Sequence, residues 1–284
     1  MGPPMKHLLA VLLLLAALPA PAGPRDWQVD LDIRAMDRVL VPRGAAQDKA
    51  VWYCVYRLTN RTGSDRDLAL RLFAQTDVTH GAPARRKSEL HADAVDPAVQ
   101  RIVEGRLGVD PRQPLLDAVR MQGRVREGEQ KDGIAVFGEI SAEADVIDVF
   151  VVGLSAAGEQ SRIGKDYQDL IKSGTPVYTV QRAAAGEYSF FPLARRITPL
   201  EFKDMTAAGK ITSLHQTVSE AEGKVLYALD DARLTETAPK RYLERMVLRL
   251  RYRRAGDERK PQLDVYRAEG REAFLAVEPL PANP

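Results

Sequence analysis

By residue type, the cysteine of this chain is the group best suited to nucleophilic chemistry. Cys54 is the only cysteine, and a thiol of this kind needs a histidine base near it in space. The histidines beyond the N-terminal segment are His80, His91 and His215, and no local motif marks any of them as that base. Because Cys54 alternates with Trp52 and Tyr56, we interpret it as a small apolar residue of a core strand and predict no catalytic residue.

Acidic residues and histidines also gather between residues 77 and 96, where a metal ion could bind. The candidate ligands are Asp77, His80, His91, Asp93 and Asp96. Their spacing matches neither a zinc motif nor a calcium-binding loop. We therefore predict no metal site and no cofactor, and we interpret these side chains as polar groups of an exposed loop.

Two short patterns resemble functional motifs but have simpler interpretations. The stretch GLSAAG at residues 153–158 resembles a nucleophile elbow, which requires G-x-S-x-G, yet Ala157 stands where the second glycine is needed. We predict a turn that ends a strand. Asn60-Arg61-Thr62 has the pattern of a glycosylation acceptor, and we interpret it as a turn whose asparagine bonds the backbone.

The feature with the clearest binding chemistry is a stripe of arginines near the C-terminus. In RYLERMVLRLRYRR, alternation puts four of them on one face of a strand, namely Arg245, Arg249, Arg251 and Arg253. Such a stripe could bind an anionic polymer or an acidic protein. The base-stacking aromatics of a nucleic-acid site do not share that face, so we predict no nucleic acid. The alternatives are a solvated edge strand, or charge compensation by Asp30 and Asp32 if the first and last strands pair.

The elements that position these residues are mostly strands. Alternating apolar residues and intervening turns predict strands at 51–59 and 67–77, which we expect to form a hairpin, and further strands near 133–140 and 145–155. Asp96 followed by Pro97 predicts a helix from Pro97 to Leu107. The segment 158–238 mixes helical spacing with short strands, and a capping box predicts a helix from Pro199 to Ala208. Two long C-terminal strands complete a hairpin, so the fold class is an antiparallel sandwich.

The first residues have the layout of a secretory signal peptide. Lys6 precedes an uncharged apolar run at 8–18, and the small residues Ala20 and Ala22 suit a cleavage site before Gly23. That run is too short to span a bilayer as a helix, and no later segment is apolar enough to do so. In the whole chain 41 Lys and Arg oppose 39 Asp and Glu, a balance that gives no bulk attraction to nucleic acid or membrane. We expect a soluble extracytoplasmic protein, periplasmic or secreted.

A series of segments carries a resemblance to a known group of proteins. VWYCVYRLTNRTG, with its tyrosine-x-x-x-asparagine pattern, is followed by DLALRLFAQTD, by VREGEQKDGIAVFGEI and by DVIDVFVVGLS. The series resembles extracytoplasmic immunoglobulin-like (telokin-like) β-sandwich domains, and is similar to uncharacterised exported bacterial proteins that also end in a strand like MVLRLRYRRAGDE. The likeness covers roughly 26–155 and 241–277. It implies a fold and carries no activity.

These observations predict a mainly β chain with an accessory segment. Residues 1–22 would be the signal peptide, 23–157 and 239–278 an immunoglobulin-like antiparallel β-sandwich, 158–238 an inserted or accessory α+β segment, and 279–284 a flexible tail. The alternative is two successive domains that meet near residue 156.

The predicted function is that of an exported, non-enzymatic protein, a binding or structural module of the cell envelope. Its partner would be a protein or an anionic envelope polymer. The alternative is an extracytoplasmic hydrolase or other enzyme whose site lies within 158–238.

Overall fold

The protein is mainly β, as predicted. The computed structural model describes residues 28–43, 46–77, 89–141, 144–182, 188–197, 214–218, 224–229, 232–254 and 266–281. The predicted signal peptide, His80 and the helix predicted from Pro199 to Ala208 lie outside these residues.

The strands follow one another along the chain with few helices between them. In chain order they are β1 (Asp30–Arg43), β2 (Ala46–Thr59), β3 (Arg66–Leu68), β4 (Arg71–Thr76), β5 (Leu90–Ala92), β6 (Gly123–Val125), β7 (Gln130–Gly138), β8 (Val146–Val152), β9 (Gly158–Arg162), β10 (Val177–Arg182), β11 (Tyr188–Pro192), β12 (Ala194–Ile197), β13 (Leu214–Val218), β14 (Lys224–Leu229), β15 (Lys240–Arg254) and β16 (Tyr266–Pro279). The described helices are α1 (Pro97–Leu107), α2 (Gly164–Lys172) and a 3₁₀ turn at Ala232–Thr235.

Two sheets face each other across the main hydrophobic core. The smaller has the order β1-β2-β7, and the larger the order β11-β10-β16-β15-β8-β4-β5, with β9 also pairing to β15. Leu58 and Tyr56 of the smaller sheet share one cluster with Val149 and Leu250 of the larger. Removing such side chains from water is the main stabilising contribution, at about 25 cal/mol per Å² of apolar surface.

Strand β2 is buried on both faces, as its sequence predicts. Trp52, Cys54 and Tyr56 face the core between the sheets. Tyr53 and Val55 face a second cluster, which α1 covers with Val99 and Val103. Helix α1 begins where predicted, because the Asp96 carboxylate accepts the amide hydrogens of Ala98 and Val99, both at 3.0 Å.

The hairpin predicted from β2 and the strand after it is wrong. After the turn at Gly63, whose φ of 81° suits glycine, β3 pairs with β6 and β4 pairs with β5 and β8. The chain therefore crosses from the smaller sheet to the larger one. Alternating leucines show which face of a strand is buried, but not whether the covering strand lies beside it or across the core. The predicted C-terminal hairpin is confirmed, since β15 and β16 pair antiparallel.

The larger sheet curls back on itself. Four strand spacings separate β11 from β8 in the sheet order, which would be about 19 Å in a flat sheet. Yet the rings of Phe190 on β11 and Phe150 on β8 stack with their centroids 4.8 Å apart. Phe274 of β16 packs edge-on against both rings. The hairpin of β10 and β11 therefore folds over the face of β15 and β8, and a concave surface results.

Part of the segment 158–238 belongs to the curled sheet, namely β9, β10 and β11. Strand β9 pairs antiparallel with β15, and β10 pairs in parallel with β16, so the larger sheet is not antiparallel throughout. Strands β12, β14 and β13 form a separate small sheet. The predicted flexible tail, 279–284, is ordered where it begins. Pro279 is the last residue of β16, and the Leu280 amide donates to the Arg241 carbonyl at 3.0 Å.

Candidate binding groove

The predicted arginine stripe lies on the concave face of the curled sheet. Leu248, Leu250 and Tyr252 of β15 point into the core between the sheets. Val247, on the other face of β15, packs in the cluster of the curl. The stripe shares that face by alternation, and its members are Arg245, Arg249, Arg251 and Arg253.

Each arginine of the stripe is paired with a carboxylate from a neighbouring strand. Arg251 donates from Nε and Nη2 to the two carboxylate oxygens of Asp148 on β8, at 2.8 and 2.7 Å. Arg249 pairs with Glu272 of β16. The outer pairs are Arg245 with Glu278 at 3.3 Å and Arg253 with Glu269 at 2.8 Å. The fork geometry of the Arg251 pair is the strongest of these arrangements.

The alternative that Asp30 and Asp32 compensate the charge of the arginine stripe is wrong, because other carboxylates do so. β1 lies in the smaller sheet and pairs with β2, whereas β15 pairs with β8, β9 and β16. Asp30 lies 3.6 Å from Arg61, and Asp32 lies 3.3 Å from Arg34. The first strand cannot supply acids to β15 because the main core separates their sheets.

A depression in three adjoining parts, each lined by both central arginines, surrounds Arg249 and Arg251. Its largest part has a volume of about 600 Å³ and is lined by Arg249, Arg251, Tyr178, Thr175 and Glu272 among others. A second part of about 360 Å³ extends towards β4 and β8, and a third of about 280 Å³ extends along β15 and β16. Arg249 and Arg251 line all three parts. We call this depression the arginine groove.

An aromatic ring forms one wall of the arginine groove. Half-buried Tyr178 of β10 packs against Phe274 with centroids 4.2 Å apart, and the guanidinium of Arg249 lies 5.6 Å from the Tyr178 ring centre. A cation over an aromatic face adds ~0.5–1 kcal/mol at exposed sites. The ring is therefore held from two sides while its remaining surface faces the groove together with Pro192.

The described lining of the groove is polar and nearly neutral. It contains Arg249, Arg251 and Arg253 against four carboxylates, which are Asp77, Asp148, Glu269 and Glu272. The hydrogen bond and charge of Asp148 raise the pKa of Arg251, so that the guanidinium stays protonated. Burial raises the pKa of Tyr178, and the charge of Arg249 opposes this in part. The phenol stays protonated near neutral pH.

Sequence reasoning missed the acidic half of the groove. Asp148 follows Ile147 in DVIDVFVV, and Glu272 lies in an exposed-looking stretch, GREAF. Opposite charges on neighbouring strands could have suggested the pairs. That inference needed the strand order β16-β15-β8, which no local pattern reveals.

A second charged cluster lies buried beside the groove. The Glu244 side chain is fully buried and accepts from Arg162 Nε at 2.6 Å and Nη2 at 3.0 Å. Tyr167 of α2 donates its hydroxyl to Glu244 at 3.1 Å. Burial and then the Glu244 charge raise the pKa of Tyr167. The cluster attaches β9 and α2 to β15.

The predicted core position of Cys54 is confirmed, since its side chain is fully buried. Burial, and then the charge of Asp93, raises the pKa of the thiol far above neutral pH, so it stays protonated. His91 lies in β5 and His215 in β13, both in sheets other than that of Cys54.

The acids of the supposed metal loop hold local structure instead. Asp77 accepts the amide hydrogens of Asp145 and Val146, Asp93 accepts that of Val136 at 2.9 Å, and Asp96 caps α1. Within the described stretches, no group of three or more His, Cys, Asp or Glu side chains is placed to hold a metal ion.

The Asn60 pattern is a turn, as predicted, whereas the predicted turn in GLSAAG is an irregular link. β8 ends before it, β9 follows it, and both pair antiparallel with β15, so the chain keeps its direction; Ser155 is buried there and bridges to Gln28. The Asn60 side chain donates to the carbonyls of Ser64 and Val125, both at 2.9 Å, and accepts from Thr62. A glycan on this nitrogen would break those bonds in a fully buried site.

Comparison of the chain with protein-family models, with curated proteins and with solved structures finds no match. In the part of the chain that the structure describes, no helix has the length and apolar character needed to cross a membrane.

Proposed function

We propose that this chain is an exported, non-enzymatic binding module of the cell envelope, built on an immunoglobulin-like β-sandwich with the arginine groove as its binding site. The leader pattern supports export. The two sheets that share one core support the sandwich. The alternative of an enzyme site within 158–238 stays a prediction.

One observation carries the proposal. Arg249 and Arg251 line every part of a depression whose largest volume is about 600 Å³, a size typical of ligand sites. Carboxylates on both flanking strands hold these arginines in place. Planar donors that are fixed before a ligand arrives lose less side-chain entropy when it binds.

The proposal is tested by capture from an envelope extract of the organism that encodes the chain. The immobilised protein, beginning at Gly23, is washed at low and high salt, and the retained material is assayed for both protein and sugar. A Thr175→Trp variant fills the largest part of the groove and should lose the captured material. Ser173→Trp, an exposed position two residues away that does not line that cavity, should retain it.

Two results would contradict this function. Equal capture by the two tryptophan variants would show that the groove is not the binding site. Failure of the unmodified protein to retain anything would favour a purely structural role for the paired arginines.

A further inference from the structure

We infer that the arginine groove binds an uncharged, hydroxyl-rich ligand, a neutral oligosaccharide chain of the envelope, rather than an anionic polymer. The inference rests on the proposed binding function and names its ligand class. Three properties of the groove support it: its charge balance, its fixed polar groups and its aromatic wall.

The charge balance of the groove argues against a polyanion. Four carboxylates oppose three arginines in the described lining. A polyanion would meet Asp148 and Glu272 at the same place as the arginines. Like charges brought together at an interface oppose binding, so the stripe does not act as the basic surface that its sequence suggests.

The fixed polar groups suit hydroxyls, which both donate and accept hydrogen bonds. In the Arg251–Asp148 pair, Nε and Nη2 are used, so Nη1 has no bonded partner among the described residues. Each carboxylate oxygen also keeps lone-pair capacity beyond the one bond it accepts. The floor of the groove, formed by the Arg251–Asp148 and Arg249–Glu272 pairs, therefore offers both donors and acceptors, as sugar hydroxyls require.

The aromatic wall provides an apolar surface beside these polar groups. Tyr178 packs against Phe274 and carries the Arg249 guanidinium over its ring, and the rest of its side chain lines the groove beside the charged pairs. A pyranose ring has an apolar C–H face and a polar rim, which fit such a wall and floor. An aromatic platform contributes large contact area with little loss of side-chain entropy.

The floor offers no backbone groups to an extended peptide. β15 is hydrogen-bonded to β16 on one side and to β8 and β9 on the other, and β16 lies between β15 and β10. Recognition by strand addition needs a free edge. A ligand that lies on β15 is therefore recognised by side chains, which suits a glycan, and strand addition would be confined to a terminal strand of the sheet order such as β11.

The experiment measures binding of defined probes by calorimetry. Neutral hexasaccharides (cellohexaose, maltohexaose and chitohexaose) are compared with dextran sulfate and polyglutamate, at about 50 and about 500 mM NaCl. We expect at least one neutral hexasaccharide to bind with a Kd that changes less than about twofold between these salt concentrations. We expect neither polyanion to bind.

Variants locate the site and separate the two ligand classes. Tyr178→Ala should weaken saccharide binding by about tenfold or more, whereas Phe191→Ala, an exposed ring on the neighbouring strand, should not change it. Arg251→Lys keeps the charge beside Asp148 but removes the planar fork, so it should weaken the saccharide by about tenfold. Circular dichroism checks that each variant is folded.

Salt-sensitive binding of a polyanion without saccharide binding would overturn the inference and leave the proposed function standing. So would capture of a protein by the unmodified chain that Thr175→Trp abolishes, with no saccharide bound. Absence of all binding, both in calorimetry and in the envelope capture, would overturn the inference and the function together.

Discussion

Asn60 joins the turn after β2 to the end of β6, so its replacement should weaken this part of the fold. Its buried amide bonds the turn at Ser64 and the end of β6 at Val125, while its backbone carbonyl accepts from Gly128 at 2.7 Å. Asn60→Ala leaves the carbonyl of buried Val125 without its Asn60 donor, while the exposed Ser64 carbonyl keeps the Thr62 hydroxyl, so we expect a loss of about 1–3 kcal/mol in the free energy of unfolding. Urea denaturation measures this. The exposed neighbour provides a control, Arg61→Ala, which should change stability by less than about 0.5 kcal/mol.

Asp93 should make stability depend on pH near neutrality. Burial raises the pKa of its carboxyl to about 7, and the charge of Asp117 adds to this. In the unfolded chain the pKa of an aspartate is ~3.9. Between that pKa and the folded pKa of about 7, the folded state binds more protons than the unfolded state. The free energy of unfolding should therefore fall as pH rises from about 4 to about 7.

Asp93→Asn should remove this dependence. Asparagine can still accept the Val136 amide, so the variant should match the parent near pH 4 and be more stable by about 1–4 kcal/mol at pH 8. Chemical denaturation across that range measures the difference. Asp96→Asn makes the same charge change at a cap where asparagine serves equally well, and it should not reproduce the effect. A constant offset between Asp93→Asn and the parent at all pH values would contradict the expectation.

The elements around β15 are attached to it by charged pairs of two kinds. Those of the groove are partly exposed, with Arg251 and Asp148 side chains 36% and 15% accessible. The pair of Arg162 with Glu244 is far more buried, at 20% and 0%. Water screens the first kind and weakens its contribution, whereas removing one partner of a buried pair leaves an uncompensated charge.

Strand β9 and helix α2 should therefore loosen when one member of the buried cluster is lost. We expect Arg162→Met to cost about 3–5 kcal/mol because Glu244 would keep a buried, unpaired charge. The double variant Arg162→Met with Glu244→Leu should recover most of that loss, since neither charge remains. A double-mutant cycle by denaturation measures the coupling. Additive losses would show that the charge pair is not what attaches these elements.

Across the whole molecule, the contact between β11 and β8 maintains the curl and thus the groove. Phe190 is buried between Phe150 and Phe274. Phe190→Ala should cost about 3–5 kcal/mol and raise amide exchange over 177–182 and 188–192. Exchange in β2, across the main core, should change less. Exposed Phe191 gives the matched control, Phe191→Ala, which should leave exchange in both regions unaltered. Equal loss of protection in β2 and β10 would mean that the curl is not a separable unit.

Sequence by itself determined the local features of this protein. Burial of Cys54 on a two-sided strand, the cap at Asp96, the turn at Asn60 and the long C-terminal hairpin all depend on residues close in the chain, and the structure confirms each. Alternation and capping depend on residues a few positions apart, so they can be recognised in the sequence without knowledge of the fold.

Tertiary structure alone decided which strands are neighbours. The order β16-β15-β8 placed Asp148 and Glu272 beside the arginine stripe, and it excluded Asp30 and Asp32. The curl brought Tyr178 and Phe190 next to that stripe. Both belong to the segment 158–238, which lies outside the ranges that resemble known proteins. Strand pairing joins residues that are distant in the chain, such as Arg251 and Asp148, which lie 103 positions apart. The alternation of a strand specifies its buried face but not its neighbouring strands. The sequence therefore suggests an open basic surface, whereas in the fold each arginine of the stripe is paired with a carboxylate.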